Sequence, residues 1–293
     1  MLDGIPASVA DPRPARVAVQ VAPQHNSYAA LRDLVVELES LGVDVVLSWD
    51  HFFPLSGDLD GAHFECWTSL AGWAEATSRV RLGPLVTCTA YRNPHLLADM
   101  ARTVDHVSGG RAILGIGAGW NEREFLDYDY EFPSTGRRLD RLEVDLPVIR
   151  TRLGRLNPAP LGGLPILVGG GGEQRTLRMV AEHADIWHGF GEPETIRHKH
   201  LVLDRWCAVL GRDPLAIERC AGVAFQPSRH GTQRGLDWAA HAEALYAVGT
   251  RLFQLALCEP PYDLDQVREL LAWRDGRNGR PGPVDSWRDE GVA

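Results

Sequence analysis

Residues 165–173, Pro-Ile-Leu-Val-Gly-Gly-Gly-Gly-Glu, pass from a short apolar strand into four consecutive glycines, and a helical pattern follows over 173–183. Glycine lets a ligand approach the backbone closely, and the free N–H groups at a helix start can bind an anion. A tight turn is the alternative, but four glycines exceed what a turn needs. No Lys-Ser or Lys-Thr follows, which excludes a Walker loop. The predicted phosphate or anion site comprises Gly170, Gly171, Gly172 and Glu173.

Around this loop, the chain alternates between short apolar strands and amphipathic helices. The predicted strands are 16–22, 44–49, 80–87, 112–117, 165–169, 185–189, 217–225 and 251–257. Apolar residues recur at helical spacing after each of them. Strands that are covered on both faces have continuous apolar runs, as these do. The pattern predicts an α/β protein with a single (β/α)8 TIM barrel, and a doubly wound open sheet is the alternative.

The predicted barrel domain spans residues 16–275, between tails over 1–15 and 276–293. The first segment lacks the basic region and apolar core of a signal peptide. The last is rich in Gly, Pro, Arg and Asp, which is typical of a tail. The connection 153–164, before the strand at 165, is only about a dozen residues long.

Composition excludes several classes of partner. The net charge of −9 argues against nucleic-acid binding, and no apolar run approaches the roughly 18 residues of a membrane span. Five cysteines without C-x-x-C spacing predict neither a disulfide framework nor a zinc site, and we expect a reducing, cytoplasmic location. Lys199 is the only lysine. In the segment 198–200, His-Lys-His, the histidines lie on different helix faces, so we predict a solvated charged face and no metal site.

Unusual residues follow the predicted strands, where a TIM barrel has its chemistry. Asp50 and His51 follow 44–49, and they are either an acid–base pair or a polar pair that caps a loop. Cys88 comes directly after 80–87 and is predicted to line a pocket. Trp120 stands where a dinucleotide fingerprint needs its third glycine, so the Gly-Ile-Gly-Ala-Gly segment before it is not a Rossmann motif.

Several segments occur in the same order in a known group of proteins. They are Asp50-His51-Phe52, residues 82–88 with Arg92-Asn93-Pro94, Ser108-Gly109-Gly110-Arg111, residues 115–120, and 169–173 with Thr176-Leu177-Arg178. Through them the chain resembles the bacterial luciferase-like superfamily, and most closely its branch that uses the deazaflavin coenzyme F420. The resemblance covers about 16–191 well and the last third only loosely.

This resemblance implies a TIM barrel with a tricyclic ring across the carboxyl ends of the strands. The implied cofactor-binding residues are Asp50, Pro84, Leu85, Thr87, Gly117, Ala118, Gly119, Trp120, Gly170, Gly171, Gly172 and Glu173. The family holds the ring against a bulge with a non-prolyl cis peptide in the third strand. Here the corresponding stretch is Gly83-Pro84-Leu85, so we expect a cis bond at Pro84–Leu85 or at Gly83–Pro84.

The implied activity is hydride transfer between F420 and a small organic substrate. His51 and Asp50 are the implied catalytic residues, with His51 for proton delivery or charge stabilisation and Asp50 also for binding the ring. Trp120 cannot supply the proton that an acidic residue supplies at this position in related dehydrogenases. The alternatives are an FMN-dependent luciferase-like monooxygenase and a non-catalytic ligand carrier. The substrate and the oligomeric state, with a homodimer as one alternative, stay open, because the short connection 153–164 departs from the family.

Overall fold

The chain forms a cylinder of parallel strands surrounded by helices, which confirms the barrel prediction. The computed structural model describes residues 11–223, 237–279 and 281–283. Within these ranges, nine strands are ordered β3-β2-β1-β9-β8-β7-β6-β5-β4. They are β1 (Arg16–Val21), β2 (Val45–Ser48), β3 (Arg81–Pro84), β4 (Thr87–Cys88), β5 (Leu114–Gly117), β6 (Ile166–Gly169), β7 (Ile186–Gly189), β8 (Glu218–Gly222) and β9 (Leu252–Leu257).

Helices cover the outside of the cylinder. In the described ranges they are α1 (Tyr28–Leu41), α2 (Cys66–Ala76), α3 (Pro94–Val107), α4 (Glu122–Asp127), α5 (Thr135–Leu153), α6 (Thr176–His183), α7 (Pro193–Leu210), α8 (Trp238–Ala247) and α9 (Asp265–Asn278). The side chains of Ser27 and Asn93 accept hydrogen bonds from the first turns of α1 and α3 and so cap these helices. α4 was not predicted, because six residues are too few to establish a helical period. Among the residues described, no helix combines the length and apolar character that crossing a membrane demands.

The third predicted strand is interrupted, and this is why there are nine strands rather than eight. β3 pairs with β2 as far as Ser48 and Pro84, and the Leu85 N–H still donates to Ser48 O at 2.6 Å. The cis peptide joins Leu85 to Val86. Both predicted positions of the cis bond, Pro84–Leu85 and Gly83–Pro84, were therefore wrong. The pairing of β3 continues through these residues, and the backbone leaves the ladder only after them.

β3 and β4 together close the cylinder against β5. Leu82 forms a parallel bridge with Ala112, and the Ile113 N–H donates to Leu82 O at 2.9 Å. One buried apolar cluster fills the interior of the cylinder, and a larger one packs between strands and helices. Because all strands are parallel, their carboxyl ends lie at one end of the barrel, where the loops that follow them meet.

Described residues on both sides of the predicted domain 16–275 also contact the barrel. Asp11 is buried, and α9 continues to Asn278, whose side chain forms two hydrogen bonds of 2.9 Å with the backbone of Ala15. These contacts join the described parts of both predicted tails to the barrel. The ranges 1–10, 224–236 and 284–293 and residue 280 lie outside the described part of the chain, as does the end of the predicted strand 217–225.

A buried ion pair fastens α9 to the end of the barrel opposite the carboxyl ends of the strands. Arg274 is 1% exposed, and its Nη1 donates to Asp44 Oδ2 at 2.8 Å and to Gly42 O at 2.7 Å. Breaking a buried ion pair by removing one partner costs about 3–5 kcal/mol. We expect Arg274→Met to lower the free energy of unfolding by about 3 kcal/mol, as measured by urea denaturation. The control is Arg277→Met on the exposed face of α9, and an equal loss in both variants would contradict the prediction.

Candidate active site

A cavity of about 470 Å³ opens at the carboxyl ends of the strands. Three of the predicted site residues that line it, Asp50, His51 and Leu85, follow β2 and β3. The remaining predicted residues that line the cavity come from the end of β5 and from the loops after β5 and β6. They are Gly117, Ala118, Gly119, Trp120, Gly170 and Gly171. The fold thus brings segments that are distant in sequence to one site.

The other predicted site residues do not line the cavity. They are Pro84, Thr87, Gly172 and Glu173. Thr87 is buried, and its hydroxyl accepts a hydrogen bond from the Trp67 indole at 2.8 Å, so its side chain faces α2 instead. Pro84 is buried within β3. Glu173 lies beyond the glycine loop, where its carboxylate accepts a hydrogen bond from Lys199 at 2.6 Å.

The floor of the cavity is apolar. β5 and β6 end there in Gly117 and Gly169, which have no side chains. Leu85 and Val86 line the floor. A Cβ on Gly117 would lie 2.7 Å from Val86 Cγ2, and one on Gly169 would lie 3.0 Å from Val86 Cγ1. Any larger residue at these two positions would therefore displace Val86. Glycine at both positions therefore keeps Val86 in the floor of the cavity.

His51 is held by a buried carboxylate. Its Nδ1 lies 2.9 and 3.0 Å from the two carboxylate oxygens of Glu124, which is fully buried. The Phe52 N–H and the Tyr91 hydroxyl donate to the same carboxylate at 2.8 Å. Burial alone would raise the pKa of Glu124, but these hydrogen bonds lower it below its usual value. An ionised Glu124 can only accept, so His51 donates through Nδ1 and keeps Nε2 for a ligand.

Asp50 has a different partner and does not pair with His51. Its carboxylate is 2% exposed and accepts from both terminal nitrogens of Arg92, at 2.5 and 3.0 Å. Arg92 also donates to Glu65 at 2.7 Å. Burial raises the pKa of Asp50, and the charge of Arg92 opposes this shift. The acid–base pair that we considered for Asp50 and His51 is therefore not formed, because each side chain has its own buried partner.

The only lysine of the chain reaches the glycine loop from α7. Lys199 lines the cavity, and its Cε would lie 3.7 Å from a Cβ on Gly171. Gly170 has φ = +130°, a conformation that other residues rarely adopt. Arg175, the N-cap residue of α6, forms no capping hydrogen bond through its side chain among the described residues. A flexible cation, a glycine loop and an uncapped helix start thus lie together, as an anion site requires.

The solvated face predicted for residues 198–200 is wrong for His200 and Lys199. His200 is 1% exposed, and its Nδ1 lies 2.8 Å from Val248 O. Only His198 has a substantially exposed side chain, at 41%. The physical reason is that α7 packs against both α6 and α8, which leaves little of this segment in solvent.

Two aromatic side chains stand at the rim of the cavity. Trp120 and Phe190 are 64% and 49% exposed, and Trp120 packs edge-on against His51 with ring centroids 5.5 Å apart. Cys88 lines the cavity, as predicted, but burial raises the pKa of its thiol to about 12. It is therefore protonated at neutral pH and is not a nucleophile. The rim favours a planar, largely apolar ligand.

Sequence reasoning missed four residues that shape this site: Val86, Glu124, His188 and Lys199. Glu124 is one of two glutamates in a charged segment, and nothing local marks it as the buried one. Lys199 offered a usable signal, because it is the single lysine among 30 basic residues and adjoins a helix that follows the glycine loop.

Comparisons with known proteins agree with the barrel fold. A family model described as luciferase-like monooxygenase matches residues 13–233. An F420-dependent secondary alcohol dehydrogenase, solved with an F420–acetone adduct, superposes with a TM-score of 0.75 at 16% identity, covering 89% of this chain and 99% of that one. At this identity the likeness concerns the fold.

Curated relatives match parts of the chain. An F420-dependent glucose-6-phosphate dehydrogenase from Amycolatopsis mediterranei is 35% identical over 126 residues, or 41% of this chain and 37% of the relative. A 4-hydroxyprotoasukamycin monooxygenase from Streptomyces nodosus subsp. asukaensis is 33% identical over 144 residues, or 42% and 38%. The chain thus spans less than half of the length of these relatives.

Proposed function

Because the chain belongs to the luciferase-like monooxygenase family, we propose that it is an oxidoreductase that transfers a hydride between coenzyme F420 and a small organic substrate. One observation supports this most strongly. A single cavity combines an apolar floor bounded by glycines, a glycine loop beside a lysine, and a histidine held by a buried carboxylate.

The residues present fit a tricyclic coenzyme. Gly117 and Gly169 have no side chain to displace Val86, so Leu85 and Val86 can form an apolar support for a flat ring. The buried Nε2 of His188, which also lines the cavity, has no hydrogen-bond partner among the described residues. When bound, a deazaflavin supplies a hydride donor or acceptor, whereas a flavin also supplies reactivity towards oxygen.

The chain itself supplies orientation, exclusion of water and a proton. Leu85 and Val86 would support the ring, and Asp50 would bind it while Arg92 balances the buried charge. His51 would deliver or accept the proton at Nε2, because Nδ1 is engaged by Glu124. Trp120 has no acidic group and would act as an apolar wall.

The anionic end of the coenzyme would lie at the glycine loop. Gly170 and Gly171 would present backbone to the phosphate, and Lys199 would exchange its contact with Glu173 for the ligand. A charge-assisted hydrogen bond is worth about 1.5–3 kcal/mol.

We expect Lys199→Met to weaken binding of the phosphorylated deazaflavin about 10- to 100-fold, as measured by fluorescence titration. Methionine keeps an unbranched side chain that is one atom shorter, and it removes the ammonium group with its charge and its hydrogen-bond donors. The deazaflavin nucleoside that lacks the phosphate serves as the control ligand, and its affinity should not change. An equal loss for both ligands would place Lys199 outside the phosphate site.

An FMN-dependent monooxygenase is the second candidate, and the 4-hydroxyprotoasukamycin monooxygenase relative favours it. Both coenzymes present a phosphate, so the glycine loop does not distinguish them. The test is parallel titration of the purified protein with F420 and FMN. We expect tighter binding of F420; tight FMN binding without F420 binding would replace the first candidate with the second.

A further inference from the structure

Glu173 directly follows the four glycines, and its side chain is directed towards α7. Its carboxylate accepts a hydrogen bond from Lys199 Nζ at 2.6 Å, and the same carboxylate oxygen lies 3.1 Å from Nε2 of His198. Both partners belong to α7. The carboxylate thus stands beside the one lysine that reaches the glycine loop, although it does not itself line the cavity.

The backbone of Glu173 is held in place independently of its side chain. Glu173 O accepts a hydrogen bond from the Trp206 indole N–H at 2.8 Å. The preceding carbonyl, Gly172 O, accepts one from the Leu177 N–H at 2.9 Å. A ligand that takes over Lys199 would therefore leave the carboxylate next to the glycine loop, with His198 as its remaining partner.

Lys199 and Glu173 have opposite charges, so the pair as a whole is neutral. The hydrogen bond from Lys199 lowers the pKa of Glu173 below its usual value, and the carboxylate is therefore ionised at neutral pH. Arg175, the next basic residue along the chain, is engaged elsewhere, since it lies 2.8 Å from the carboxylates of Asp140 and Glu143. What a second negative charge on a ligand gains from the lysine is consequently offset by repulsion from Glu173.

We propose that Glu173 determines which phosphate ester binds at the glycine loop, because it favours a phosphodiester with one negative charge over a phosphomonoester with a second one. The inference rests on the proposed function, since it needs the phosphate of the coenzyme at this loop. A phosphomonoester has a charge of about −1.5 to −2 at pH 7. F420 contains a phosphodiester and FMN a phosphomonoester, so Glu173 discriminates between the two candidate coenzymes by charge, whereas the glycine backbone can bind either.

The test keeps the ring constant and changes only the ester. The ligands are the deazaflavin nucleoside 5′-monophosphate and its methyl phosphodiester, together with FMN and its methyl phosphodiester. Affinities are measured by fluorescence titration at neutral pH. In Glu173→Gln, the ratio of monoester to diester affinity should rise about fivefold over that of the wild type, because one repulsive charge is removed. Both esters should also bind more tightly, since Lys199 is released from its partner.

Two further variants serve as controls. Glu173→Asp keeps the charge and should keep the affinity ratio near that of the wild type. Glu182→Gln removes the same charge from the other end of α6, where the side chain is 41% exposed, and should leave the ratio unchanged. An unchanged ratio in Glu173→Gln overturns the proposal, and so does an equal rise in Glu182→Gln.

Acidification gives a readout that a purely structural role of Glu173 would not change. The second pKa of a phosphomonoester is about 6, so both esters are largely monoanions at about pH 5. The lowered pKa of Glu173 keeps its carboxylate charged there. Any protonation of His198 acts on the two monoanions alike. The difference in affinity ratio between the wild type and Glu173→Gln should therefore disappear at about pH 5, and its persistence would contradict selection by charge.

The outcomes separate this proposal from the proposed function. Binding of the flavin pair alone, with the expected change of ratio in Glu173→Gln, refutes F420 as the coenzyme and supports the role of Glu173. Binding of the deazaflavin pair with an unchanged ratio supports the coenzyme and refutes the role of Glu173. If none of the four ligands binds to the wild type, both proposals are refuted.

Discussion

Replacing His51 with alanine is expected to reduce turnover about 100- to 10,000-fold while the affinity for the coenzyme changes by only a few-fold. His51 lines the cavity, and Glu124 engages its Nδ1, so Nε2 is the nitrogen available to a reacting group. Asp50 cannot replace it, since Arg92 holds that carboxylate. Turnover is measured with a substrate that the wild type converts, and coenzyme affinity by fluorescence titration.

His95→Ala serves as the control, because this residue is exposed on α3 and does not line the cavity. Full activity of the His51 variant would remove this residue from the mechanism. A parallel loss of coenzyme affinity and turnover would make it a binding residue instead. Coenzyme binding by a wild type that converts no substrate would favour the ligand carrier.

The barrel could be predicted from the sequence because its strands are buried on both faces. The segments that form β1 and β9 are mostly apolar and buried along almost their whole length, and parallel strands need crossover connections, usually helices, between them. The interruption after Pro84 could not be predicted in the same way. The run 80–87 is apolar except for Arg81 and Thr87 and resembles one continuous strand. What the sequence does not show is that Pro84 and Val86 lie against Gly115 and Gly117 of β5.

The site was predictable where it depends on the order of elements and unpredictable where it depends on a single contact. Loops that follow parallel strands must meet, so the placement of His51 and Gly170 near each other followed from the fold. The pairing of His51 with Glu124 joins residues 73 positions apart. Only the packing of α4 against the loop after β2 selects Glu124 over Glu122.

Glu124→Gln is expected to lower kcat about 100-fold with little change in KM or coenzyme affinity. Glu124 touches no ligand directly and acts as a positioning residue that keeps the proton of His51 on Nδ1. A glutamine amide can instead donate to Nδ1 and place the proton on Nε2. In serine proteases, the comparable change of the orienting carboxylate to an amide costs about 10⁴ in kcat.

A graded variant separates positioning from a general structural effect. Tyr91→Phe removes one hydrogen bond of 2.8 Å but leaves the carboxylate ionised, so its kcat should fall less than tenfold. The ¹⁵N signals of His51 should show the altered tautomer only in Glu124→Gln. Equal losses in the two variants, with His51 unchanged in both, would show that Glu124 serves the fold alone.

The same carboxylate predicts how stability depends on pH. Its pKa is lowered in the folded protein because hydrogen bonds from His51, Phe52 and Tyr91 outweigh the opposing effect of burial. A lowered pKa stabilises the fold at pH values above the unfolded pKa of glutamate, about 4.3, and this contribution disappears as the pH falls through the folded value. In urea denaturation, the wild type should therefore exceed Glu124→Gln in stability near neutral pH. The difference should shrink below about pH 4, and a difference that grew on acidification would mean that the carboxylate is not ionised in the folded protein.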